Sequence, residues 1–293
     1  MKKNIFVAYL LLLPFFTLFT IFYIVPLILC AYQSLFKVSV RGDVYVGLKN
    51  YEEALYDPFF HLSFLNTLIY VGLLAILGFI PLLLVFLLEM YIPYNSKFKK
   101  VFQIVTLAPW VITWVSISLP WKWFFSSIFL HWVEVVSSII GSSMTITSYQ
   151  NPLTTESSLI VIAFIQLWVY LGYNILILGA GFRSVPPEII EAAQIDGASK
   201  LRTFFSIIIP AMMPYIVFTT ITGLIFNFQI FDPIWLLTEG GPEWKSSSIA
   251  FYLVKQAKGW FNYGYASALG IIIIPVILVI SLVQFKILYK RMI

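Results

Sequence analysis

Six stretches of this chain carry no Asp, Glu, Lys or Arg: Asn4–Phe36, Pro58–Leu88, Val101–Trp121, Ser157–Phe182, Thr203–Phe231 and Gly259–Phe285. They run 33, 31, 21, 26, 29 and 27 residues, in a chain of 293 that is 60% hydrophobic and 11% charged. About 20 apolar residues as helix cross a bilayer's hydrocarbon core, so each stretch is long enough to span. In lipid the backbone must satisfy its own hydrogen bonds, and an isolated segment does so only as a helix. The expected fold is therefore an all-α membrane protein with six spans, near 5–32, 62–92, 101–125, 157–182, 203–231 and 263–288. A seventh charge-free run, Val135–Thr155, holds nine Ser or Thr with Asn151 and Pro152, and reads as an exposed loop.

Lys2 and Lys3 before the first run imitate a secretory signal. That run exceeds a signal's apolar core of roughly 7–15 residues, and no small-residue cleavage site closes it, so a retained helix is expected. Cys30 is the single cysteine, which excludes an intramolecular disulfide or a cysteine metal site. The net charge of +5 comes from basic residues that fall between the spans rather than in one nucleic-acid-binding block. With the N-terminus inside, eleven Lys and Arg fall on short inner segments and seven on longer outer ones. The positive-inside rule thus places both termini in the cytoplasm.

Ionisable residues deep in a span mark proton or ion paths, and none of the six runs has one, which speaks against an ion-coupled carrier. No G-x-x-x-x-G-K-[S/T] loop appears, nor H-E-x-x-H or G-x-S-x-G. The chain is read as a non-enzyme, with no metal or cofactor of its own. The polar residues of the later runs are uncharged. Gln166, Tyr170 and Tyr173 follow i, i+4, i+7 spacing and share one helix face; with Asn227 and Gln229 they are the candidates for a substrate path. Amides and aromatic faces suit a neutral polyol, although buried amides also bond helix to helix.

Between the fourth and fifth runs sits EIIEAAQIDGASKLRTFFSIIIP, Glu188 to Pro210, where charges crowd together. Pro186 and Pro187 suit a helix start, Glu188 suits the positive end of its dipole, and Asp196-Gly197 is a stop signal. A short cytoplasmic helix over about 187–197 is expected, tied at both ends to spans.

Glu191-Ala192-Ala193, Gly197, Ile207 and Ile209-Pro210 at this spacing resemble the EAA motif of the membrane-spanning subunits of binding-protein-dependent ABC importers. Ile209 stands where that family usually has Leu. Asn227-Phe228, the run Leu236 to Pro242 (LLTEGGP) and Tyr263-Gly264-Tyr265-Ala266-Ser267-Ala268 are similar to the carbohydrate class, the MalF-type permease. The resemblance implies the type I importer permease fold. It makes the helix around Glu188, Glu191, Ala192, Ala193, Asp196 and Gly197 a coupling helix that docks on a cytoplasmic ATPase dimer, where ATP and Mg would bind. It also implies a second permease subunit (MalG-type), an extracytoplasmic solute-binding protein and a bacterial plasma-membrane location. The implied cargo is a neutral sugar, oligosaccharide or polyol; the alternatives are another solute such as glycerol phosphate, or a stand-alone secondary transporter.

Overall fold

A computed structural model describes residues 2–38, 42–93, 95–140 and 151–289. Four helices in it are long and apolar enough to cross a membrane: α1 (Tyr9–Gln33), α3 (Pro58–Tyr91), α7 (Ser158–Arg183) and α13 (Tyr263–Leu288). The short helix α2 (Lys49–Tyr56) precedes α3. Two further helix pairs are long and apolar enough to cross only when taken together. The first joins α4 (Lys97–Val111) to α5 (Trp114–Ser126) at 99°, and α5 runs on through a π turn into α6 (Phe129–Ile140). After the connecting helix α8 (Pro187–Ile195), the second joins α9 (Lys200–Ala211) to α10 (Met213–Phe228) at 71°. Counting each pair as one span gives six.

Both bends break runs that the sequence presents as single helices over 101–125 and 203–231, and both have local causes. Val111, Ile112 and Thr113 are consecutive β-branched residues, which crowd the preceding turn of a helix. Ile112 and Thr113 are accordingly extended, with ψ of 145° and 148°. In the second pair Pro210 and Pro214 each lack the N–H that an interior turn needs. A π turn, Phe204–Ile208, leads into Pro210, and the ladder breaks at the fully buried Met212. The run 135–155 is also not all loop: α6 extends to Ile140, and Asn151 caps a single turn over Pro152–Thr154. Residues 141–150 of that run lie outside the described residues.

By its internal contacts the chain divides into two compact units, Met1–Pro58 with Tyr252–Val276, and Phe59–Phe251 with Ile277–Ile293. In the first, α1 leaves Leu11 and Phe22 mostly bare, as a lipid-facing helix does. Its end is held by Asn50, whose amide donates to the carbonyls of Ser34 (2.7 Å) and Phe36 (3.0 Å). A two-residue hairpin follows, with Phe36 opposite Tyr45 and Lys37 opposite Val44. Asp57 accepts from the phenols of Tyr252 and, at 2.5 Å, Tyr265. Tyr252 lies in α12 (Ile249–Val254), after α11 (Asp232–Leu237).

In the second unit α7 runs through two apolar clusters. Ile162, Ile165 and Val169 pack with Tyr70, Ile117 and Ile234; Ile175, Leu178 and Phe182 pack with Phe86, Phe204 and Met212. Gly172 permits α4 and α7 to touch backbone to backbone. A Cβ there would stand 2.1 Å from the Thr106 carbonyl oxygen, the close approach for which small residues serve in membrane helix pairs.

Candidate functional site

A cavity of about 480 Å³ opens in the second unit between α3, α7, α9, α10 and the end of α13. The face predicted on α7 turns into it: Gln166, Tyr170 and Tyr173 all line it, joined by Asn174 and, from α10, Asn227. Gln229 does not line it. It is the exposed C-cap residue of α10, where the helix ends and the side chain turns away. Thr219, Thr220 and Gly223 of α10 and Gln284 of α13 also line the cavity. Helical spacing ties Thr219 and Gly223 to Asn227 at i, i+4 and i+8, and Thr220 to Asn227 at i, i+7, but the hydroxyls carry little signal in an apolar run. Trp110 on α4 stacks on Tyr173 at 4.8 Å with its ring planes 29° apart, and meets Tyr170 edge-on at 4.6 Å.

No lining residue carries a formal charge at neutral pH. Two amide oxygens, Oε1 of Gln166 and Oε1 of Gln284, are buried with no hydrogen-bond partner. Gln166 is 2% exposed and lies one helical turn from Tyr170 on the same face of α7. An unpaired buried acceptor is costly, and both glutamines line the cavity.

The helix α8 starts as its prolines dictate, with Pro187 at its first position and Glu188 in its first turn. It ends in a complete Schellman motif, in which the Ala198 N–H donates to the Ala193 carbonyl (2.9 Å) and the Gly197 N–H to that of Gln194 (3.0 Å). Gly197 supplies the left-handed residue, φ +78°. Ala193 faces inward at 6% exposure, and Ile190 packs on the second apolar cluster. Glu188, Glu191, Ala192, Asp196 and Gly197 face out, beside Ile195, which is 86% exposed. Five of the six residues singled out on this helix are therefore solvent-exposed.

Two polar assemblies were not read from the sequence. At the end of α3, Glu89 is buried between Lys99 of α4 (2.5 Å) and Arg183 of α7 (2.8 Å). At its other end Tyr70 donates to the Ser246 carbonyl (3.0 Å) and Asn66 to that of Trp244 (3.0 Å). Ser63 and Ser247 share a hydrogen bond of 2.8 Å. Glu89 directly follows the apolar run Pro58–Leu88; its partners Lys99 and Arg183 are 10 and 94 residues away, and no periodicity links them. On the exposed rim Lys245 pairs with Glu156, which holds that carboxyl below its ordinary value.

Residues 90–293 match the family model described as binding-protein-dependent transport system inner membrane component. The arabinooligosaccharides transport system permease protein of Bacillus subtilis (strain 168) is 30% identical over 284 residues, covering 95% of this chain and 87% of that one. The multiple sugar-binding transport system permease protein of Streptococcus mutans serotype c is 30% identical over 242 residues, covering 83% and 80%. Among solved structures, a chain of a bacterial ABC transporter involved in import of the acidic polysaccharide alginate superposes with a TM-score of 0.81. It covers 98% of this chain and 96% of its own, at 24% identity, a likeness of fold.

Proposed function

This chain belongs to the binding-protein-dependent transport system inner membrane components, and from that premise we propose that it forms half of the path for a neutral sugar, oligosaccharide or polyol. The cavity beside Gln166 carries the proposal. Its polar lining is made of amides, phenols and hydroxyls, two amide acceptors are unspent, and Tyr170 and Tyr173 bring aromatic rings to the lining. Sugar hydroxyls are donors for such oxygens, and the C–H face of a sugar ring packs on aromatic surface. A phosphorylated cargo such as glycerol phosphate would need Arg or Lys to offset its charge, and the lining has neither. Relatives named for arabinooligosaccharides and for multiple sugars support the same class.

A second permease subunit would complete the path, and an extracytoplasmic binding protein would deliver the cargo. Energy would come from a separate ATPase dimer carrying ATP and Mg, for which this sequence holds no phosphate-binding loop. The bare face of α8, with Glu191 and Ile195 at its centre, is the surface we assign to that ATPase. Both termini would then be cytoplasmic, in line with the inner excess of Lys and Arg.

Uptake by the complete complex in vesicles tests the cargo class. Neutral oligosaccharides should compete with the bound solute, and sugar phosphates should not. Preferential transport of a phosphorylated or carboxylated cargo would refute the reading.

A further inference from the structure

We infer that α3 is a strut linking the coupling helix to the loop 238–248, with Arg183 and Lys200 as the positioning residues at its inner end. The inference rests on the assignment of α8 to the ATPase. Its geometry is independent of that assignment and lies within one compact unit.

The chain enters α8 just after Arg183 and leaves it just before Lys200. Between them the two residues reach three consecutive positions of α3. Arg183 Nη1 donates to Glu89 Oε1 at 2.8 Å. Lys200 Nζ donates to the Met90 carbonyl at 3.0 Å and sits 4.1 Å from the centre of the Tyr91 ring. Glu89 is fixed in turn by Lys99. A helix with most of its own side chains in solvent is thus clamped at entry and exit to residues 89–91.

The far end of α3 is tied as firmly. Besides the bonds of Ser63, Asn66 and Tyr70, the Thr67 hydroxyl accepts from the Ile249 N–H at 2.9 Å. The loop these bonds hold carries Glu239, Glu243 and Trp244 at φ of 52°, 48° and 65°, a left-handed conformation that non-glycine residues keep only when the surroundings impose it. Thr238 and Ser246 bond each other at 2.8 Å, so the loop is internally braced. Between the two ends α3 contributes Leu74, Gly78 and Leu82 to the cavity wall. Its two helical segments, Pro58–Leu77 and Phe79–Tyr91, meet at Gly78, whose N–H still bonds the Leu74 carbonyl at 2.9 Å, and together run about 50 Å. Displacement of either end therefore shifts the cavity wall and is felt at the other. Such coupling is reciprocal by thermodynamic necessity.

The test uses the complete complex in vesicles, measuring ATPase co-purification, basal hydrolysis, its stimulation by loaded binding protein, and uptake. Arg183 and Lys200 are exposed, and R183Q/K200Q leaves the buried Glu89–Lys99 pair whole. We expect this variant to hold its ATPase and its basal rate, while stimulation and uptake fall by about fivefold or more. Asn66→Ala with Tyr70→Phe, at the far end, should do the same, and the combination of both ends should be no worse than either alone. Arg183→Lys, which keeps the cation, should restore stimulation. Wild-type stimulation in R183Q/K200Q, additive losses from the two ends, or loss of the ATPase on purification would each overturn the strut. Glu191→Lys serves as the reference for docking. If it keeps the ATPase and full stimulation, the assignment of α8 fails and the strut with it; if it sheds the ATPase while R183Q/K200Q behaves as wild type, only the strut fails.

Discussion

Gly197 stands at φ +78° with nothing within 4 Å of the position a Cβ would take. Within this chain its requirement is conformational rather than steric, so the extra bulk of a larger side chain matters only against a docked partner. Gly197→Ala should lower the stability of the purified permease by about 1 kcal/mol, the cost of a left-handed non-glycine residue, while Gly197→Asn, which tolerates that region, should cost less. Thermal unfolding in detergent measures both, and equal losses would contradict the Schellman geometry. Gln166 allows a sharper separation of roles. Its Oε1 is buried and unpaired, so Gln166→Leu removes that cost. Folding stability should change by less than about 1 kcal/mol, yet uptake at limiting substrate should drop roughly fivefold to thirtyfold if that oxygen meets a cargo hydroxyl. Stability lost together with uptake would return Gln166 to helix packing. Gln284→Leu is expected to behave in the same way.

Short polar contacts fix whole elements in place. In the first unit Asp57, after α2, accepts from Tyr252 on α12 and Tyr265 on α13. Burial, reinforced by Asp57, pushes the Tyr252 phenol well above its ordinary value. A group whose folded pKa is raised adds stability that is whole below the unfolded pKa, near 10 for Tyr, and is lost as pH climbs past it. The wild-type permease should therefore lose stability above pH about 10, and Tyr252→Phe should lose about 1 kcal/mol at neutral pH while showing a shallower alkaline decline. Unfolding midpoints from pH 7 to 11 compare the two limbs; parallel limbs would mean that Tyr252 does not titrate with folding. The exposed Lys245–Glu156 pair should behave oppositely. Solvent screens it, so Lys245→Ala should leave the midpoint unmoved.

At the scale of the molecule the testable quantity is orientation. Asn95, between α3 and α4, and Ser157, before α7, are both exposed. In a Cys30→Ser background, cysteines at these two sites should react with a membrane-impermeant thiol reagent from opposite sides, Ser157→Cys from outside intact cells and Asn95→Cys only after lysis. Labelling of both from outside would overturn the inward placement of the α3–α4 connection and of both termini.

What the sequence settled by itself was whatever local chemistry decides. Charge-free runs long enough to span define the helices, because lipid leaves the backbone no alternative. Pro186, Pro187 and Asp196-Gly197 bound α8 because each acts on the backbone beside it. The spacing of Gln166, Tyr170 and Tyr173 put them on one face because helical geometry does so wherever the helix lies. The bends at Ile112 and Met212 had visible causes, a β-branched run and paired prolines, yet uniform apolarity hid where each span would break. Only the tertiary structure decided what those elements meet. It brought Gln284 across from α13 to the cavity and left Gln229 outside. It joined Glu89 to Lys99 and Arg183, and Asn66 and Tyr70 to a loop some 180 residues onward. Such contacts depend on where helices cross, and crossing is set by packing of complementary surfaces such as Gly172 against Thr106, which no single stretch of sequence contains.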